Sequence, residues 1–188
     1  MLLTSDWFAQ DSSPKWNVFI ADSYSFLNLF LPKSFTMQVL LVLHNLIRWF
    51  IIIFAFWTVI GALSGLASKR EYKVSDGRSN FFFMLGMDIQ LLIGLILYFT
   101  SGWFESLKHM GESMKDPMLR FFTIEHSLMM IIAWILVHAG RVSVKKALTS
   151  TTKFKKTLLF FGIALLLIII AIPWPFREMV ARPWFRWF

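Results

Sequence analysis

The chain has 188 residues, of which 57% are hydrophobic and 18% aromatic, and its mean hydropathy of +0.62 leaves too little polar surface for a water-soluble globule. Its formal charge of +8 does not point to nucleic acid, because the basic residues gather in two short segments between apolar runs, as membrane topology demands. The absence of cysteine excludes disulfides, thiolate metal sites and covalently attached c-type haem. The expected fold class is all-α integral membrane, with the lipid bilayer as its first partner and no nucleic acid.

Residues 1–36 come first, aromatic but broken by Asp6, Asp11, Asp22 and Lys33. No basic region precedes an apolar run here, so a cleaved signal peptide is not expected. Pro14 after Ser13 starts a helix-like pattern (Trp16, Phe19, Ile20, Leu27, Phe30, Leu31) that Pro32 closes. It is too polar to span. The expectation is an interfacial amphipathic helix or a docking segment for a partner subunit.

A four-helix membrane domain is expected over 37–173. The first span begins near Phe35 or Val39 and ends at Ala67, with His44, Asn45 and Arg48 near its start and a small-residue packing surface at Gly61 and Gly65. The connection SKREYKVSDGRSN follows, rich in Lys and Arg. The second span, Phe81 to Ser101, carries Asp88 and Gln90. A charge-balanced connection leads to the third span, Leu119 to Arg141, which holds Glu125, His126 and His138. The most basic stretch, 141–156, precedes a fourth span, Thr157 to Ile172, with no ionisable residue. Pro173–Trp174–Pro175 stops it. Residues 174–188 then form a tail dense in Trp, Phe and Arg, expected to lie at the interface.

Short connections predict an up-down bundle. The two basic segments belong in the cytoplasm by the positive-inside rule, which puts both termini on the far side. That topology sorts the intramembrane polar residues by depth. His44, Asn45, Arg48, Glu125 and His126 fall in an outer layer; Asp88, Gln90 and His138 fall in an inner one. On a helix rising about 1.5 Å per residue, His126 and His138 lie about 18 Å apart.

Ionisable groups are costly inside a bilayer and are functional candidates for that reason. Two histidines at equal depth on parallel helices suit bis-imidazole ligation of haem b, His44 and His126 supplying the iron ligands and Arg48 a cation for the propionates. The same histidines also serve as hydrogen-bonding glue between helices, or as part of a quinone or metal site. Asp88 with His138 makes a proton-handling pair or a polar pair that fixes helix register.

The set LHNLIRW, IQLLIGLILYF, MKDPMLRFFTIEHSLMMIIA and IPWPF…ARPWF resembles a family of small bacterial four-helix membrane proteins described as cytochrome b-like. The resemblance covers roughly residues 40–185. It implies a haem-associated, respiratory-type protein of the bacterial inner membrane, with His44 and His126 at the family's histidine positions. It also implies a histidine where this chain has Asp88, which favours a single outer haem or none. The reading that results is a membrane electron-transfer subunit of a larger redox complex, with quinone a possible further ligand. A cofactor-free accessory or scaffold subunit is the alternative, resting on the aromatic N-terminal segment and the tail as protein-docking surfaces.

Overall fold

A computed structural model describes residues 33–187, which contain helices and no strand. The interfacial helix expected within 1–36 lies outside the described residues, except that a helix has already begun at Lys33. The chain divides into two compact units, Met1–Gln38 and Val39–Phe188, and every contact discussed below lies within the second.

Helix α1 covers Lys33–Ala67 and α2 covers Val74–Thr100. A 3₁₀ turn, Glu105–His109, and the short helices α3 (Met110–Ser113) and α4 (Pro117–Arg120) lead into a π-helical turn, Phe121–Glu125. That turn runs directly into α5 (His126–Lys145), and α6 covers Ser150–Ala171. Among the described residues, four helices are long and apolar enough to cross a membrane: Phe35–Ala67, Val74–Thr100, Pro117–Lys145 and Ser150–Ala171. Only 22% to 39% of each apolar window is buried against protein, so the remaining apolar surface requires lipid. Ile53, Ile60, Leu92, Leu128 and Leu166 are among the large side chains that face outward. The chain is a multi-pass membrane protein by this construction.

Two helices begin earlier than their apolar runs. Asp76 accepts from the Lys73 N–H at 2.8 Å and pairs through both oxygens with Arg70, at 2.7 and 2.8 Å, which winds the polar segment 74–80 into α2. Thr149 accepts from the Thr152 N–H at 3.2 Å and starts α6 ahead of its basic turn.

The core is built from Ile51, Ala55, Phe83, Met87, Val137, Phe161 and Ile168. Phe83 and Phe161 meet with ring centres 5.7 Å apart. The small residues set how closely the helices approach. A Cβ on Gly140 would sit 2.6 Å from Phe160 Cβ, so α5 and α6 pack backbone to side chain there. Gly61 and Gly65, expected to act as one packing surface, do separate jobs. Gly65 faces the Phe154 ring of α6, while the Gly61 carbonyl accepts from Arg70 at 3.1 Å. Between α1 and α2, His44 lies beside Gln90, Ile51 beside Gly86 and Gly61 beside Asp76. Residue numbers therefore rise along one helix as they fall along the other.

Candidate functional site

Proline chemistry at the end of α6 prepares the site. Within a helix, the carbonyls of Ile169 and Ala171 would accept from the N–H groups of residues 173 and 175, but both of those are proline and have none. Trp174 Nε1 takes the Ile169 carbonyl at 2.8 Å. Arg177 takes the Ile170 carbonyl at 2.8 Å. The Ala171 carbonyl is left for His126, whose Nδ1–H donates to it at 2.9 Å. A carbonyl only accepts, so Nδ1 carries the proton and Nε2 keeps its lone pair.

The π-helical turn just before His126 supplies the second local feature. The His126 N–H reaches back five residues to the Phe121 carbonyl. The Thr123 carbonyl in that turn accepts from Tyr98 Oη at 2.9 Å and from Ser127 Oγ at 3.0 Å, tying the turn to α2.

His126 then faces His44 of α1, with ring centres 6.3 Å apart and planes inclined by 56°. The two rings stand in the walls of two cavities. One, of about 120 Å³, also touches Asn45, Arg48 and Ile168. The other, of about 920 Å³, runs along α2 and α5 past Leu91, Leu95, Ile131 and Trp134. That volume falls in the range of roughly 300–1,000 Å³ typical of cofactor and small-molecule sites. Both cavities are closed on one side by Arg182, Pro183 and Arg186 of the tail.

The tail is held there by the start of α1. Arg48 Nη2 and Trp49 Nε1 both donate to the Trp184 carbonyl, at 2.6 and 3.0 Å. With its amide nitrogen turned toward Trp184, Asn45 donates to the same oxygen at 3.3 Å and accepts from Arg48 at 3.1 Å. Trp49 stacks on Phe185 with ring centres 5.3 Å apart. Arg182 lies over the Phe122 ring, 4.7 Å from its centre. Burial, and then the neighbouring Arg186, hold the Arg182 guanidinium below the ordinary arginine range. Two cations face one apolar space.

The expected site residues thus separate. His44 and His126 come together. Arg48 lines only the smaller cavity and anchors the tail, so the cations beside the larger one are Arg182 and Arg186, which the sequence reading assigned to a surface tail. Glu125 turns away to pair with Arg120 at 2.8 Å. Gln90, expected in the deeper layer with Asp88, instead donates to the His44 carbonyl at 3.0 Å and joins the histidine level. Asp88 and His138 do meet, Oδ1 to Nε2 at 3.2 Å, and Trp134 Nε1 donates to the same Oδ1 at 2.7 Å. His138 Nδ1 donates to the Trp134 carbonyl at 3.0 Å, so the contact with Asp88 needs a further proton on one partner or the other.

The histidine level is also where hydrogen bonding is incomplete. Among the described residues, the buried polar side-chain atoms with no partner include His44 Nδ1, Arg48 Nε, Gln90 Oε1 and Thr123 Oγ1, all at or next to this site. A native structure leaves such atoms unpaired rarely, and beside a cavity they are met by water, an ion or a ligand.

The fold and site define a helical multi-pass membrane protein with a histidine-walled apolar cavity at one end of its spans. No family model, curated protein or solved structure matches the chain, so the functional reading rests on this geometry.

Proposed function

We propose that the chain is a membrane electron-transfer protein that would hold one b-type haem between α1 and the third span, with His44 and His126 as the residues that would bind its iron. The observation that carries this reading is the 6.3 Å separation of the two ring centres at the wall of an apolar cavity. A metal about 2 Å from each nitrogen, with each nitrogen about 1 Å from its ring centre, sets two such rings about 6 Å apart. The donor set fits. His126 offers Nε2 because the Ala171 carbonyl holds the proton on Nδ1, the outer-shell contact that haem histidines and metal histidines use. Arg182 and Arg186 would hold the propionates by charge-assisted hydrogen bonds. Leu91, Leu95 and Ile131 keep water from the ring faces.

Bound haem supplies one-electron transfer at a potential set by its ligands and their surroundings. The four spans form an up-down bundle with its basic connections in the cytoplasm and its termini outside, in a bacterial inner membrane. A haem held there would exchange electrons at the tail end with a quinone or a partner redox protein. Residues 1–36 and the exposed aromatics Phe176 and Trp187 are the surfaces for a larger complex.

The test is a reduced-minus-oxidised visible spectrum of protein purified in mild detergent, with a pyridine haemochrome count. One b-type haem per chain is expected, and His44→Ala and His126→Ala should each abolish the α-band while the protein still inserts. Unchanged spectra in both variants, or no haem in protein isolated with its partners, would remove the reading and leave the accessory-subunit alternative.

A further inference from the structure

At the opposite end of the spans lies a third cavity, of about 540 Å³, and its chemistry is different. Its walls carry Lys73, Arg78, Arg141, Lys145 and Lys153, and no carboxylate. We infer that this pocket binds the phosphate of an anionic phospholipid headgroup. The inference is independent of the haem reading.

Five like charges around one space repel each other and favour any anion that enters it. The nearby carboxylates offset them only in part, Asp76 acting on the Lys73 charge without an ion pair between the two side chains. Asp76 is already committed to Arg70 and to the Lys73 N–H, and Glu71 is exposed and outside the lining. Among the described residues, none of the five cations forms an ion pair with a carboxylate.

Two of the cations are held in place by aromatic faces. Arg141 lies 5.0 Å from the centre of the Phe81 ring while donating to the Gly77 carbonyl at 3.2 Å. Lys153 lies 5.3 Å from the centre of the Tyr72 ring. Such pre-positioning lowers the ordering cost of binding.

The pocket is also amphipathic. Phe81 and Val144 line it beside the cations, and Val74, 72% exposed, continues the apolar side outward. It sits where the apolar spans give way to the basic connections, which is where headgroups lie. Basic pockets between spans at this level recognise lipid phosphates. A free phosphate ion shares the charge but has no use for the apolar wall.

Among the described residues, the side chains of Arg78 and Lys145 form no hydrogen bond or ion pair, so Arg78→Gln/Lys145→Gln removes charge with little effect on folding. The full chain in neutral detergent is titrated with phosphatidylglycerol, phosphatidylcholine or inorganic phosphate, with bound lipid counted by native mass spectrometry and stability followed by thermal shift. Phosphatidylglycerol should bind at least tenfold more tightly than phosphatidylcholine, and the double variant should lose about tenfold or more of that affinity. A control variant at the other end, Lys108→Gln/Lys115→Gln, should bind as the parent does. Equal binding of the two lipids, or no loss in the double variant, overturns the proposal. Stabilisation by inorganic phosphate with none by phosphatidylglycerol overturns the lipid assignment.

Discussion

Two histidines of the third span, His126 and His138, meet opposite surroundings. His138 has both ring nitrogens engaged, one on the Trp134 carbonyl and one on Asp88, and Asp88 holds the Trp134 indole as well. Its circle is closed. His126 has one nitrogen fixed by Ala171, and its ring stands beside His44 in the wall of a cavity, with unpaired Gln90 Oε1 and His44 Nδ1 nearby. Both were candidates as ionisable groups in a membrane span, His126 as a haem ligand with His44 and His138 as half of a proton-handling or register-fixing pair with Asp88. What separates glue from a ligand site is whether the protein itself completes the hydrogen bonding.

The largest effect should come from breaking the open side. His126→Ala is expected to lose all haem absorbance, whereas His138→Ala should keep the full complement per chain, checked by haemochrome assay on both purified variants. Loss of haem in His138→Ala with retention in His126→Ala would reverse the comparison.

The closed side should respond in stability instead. Asp88→Ala leaves the Trp134 N–H and His138 without their partner, which should cost about 2 kcal/mol. Asp88→Asn keeps an acceptor for Trp134 and should cost less than about 1 kcal/mol. Denaturant unfolding in detergent micelles measures both. A change in proton-linked activity with no change in stability would make the pair a proton carrier.

Between these lies the arginine pair of the tail. A charge-assisted hydrogen bond contributes about 1.5–3 kcal/mol, so Arg182→Gln should weaken haem retention by about tenfold or more. Arg48→Gln acts through the tail anchor at Trp184, and should expose the tail to protease before it affects the spectrum. Equal haem loss from both substitutions, with the tail still protected, would return the propionate role to Arg48.

The spans were legible because apolar length is a strong signal, and the two histidines because charge and imidazole are rare in such runs. The helix starts were not: Val74–Asn80 reads as a loop by polarity, and only the Arg70–Asp76–Lys73 capping contacts make it helical. Gln90 was misplaced in depth because it stands two residues from Asp88, and depth alone does not say which neighbour a long side chain reaches. The π-helical turn at Phe121–Glu125 leaves no periodic trace. The Pro173–Trp174–Pro175 stop was plain in the sequence, but not that its missing N–H groups would hand the Ala171 carbonyl to His126. Nor was the return of Arg182 and Arg186 to the cavity, which rests on contacts distant in sequence: the Trp184 carbonyl with Arg48 and Trp49, and the rings of Trp49 and Phe122.

The smallest effect expected lies at the basic end, outside the membrane, and tests whether packing there is as closed as at Asp88. The Tyr72 hydroxyl accepts from Asn80 at 3.1 Å, and its ring packs against Phe154 with centres 5.2 Å apart. Burial first, and then the nearby Asp76 carboxylate, push the phenol up to about 12. The unfolded chain ionises this group near its ordinary value of about 10, so it takes up the charge before the folded protein does. Its contribution to stability is therefore complete below about pH 10 and is lost as pH rises from about 10 to about 12. A thermal-unfolding series across that range should slope downward in the parent and less so in Tyr72→Phe. An equal slope in the two proteins would mean that water already reaches the phenol, and that its hydrogen bond to Asn80 does not keep the group in its neutral form.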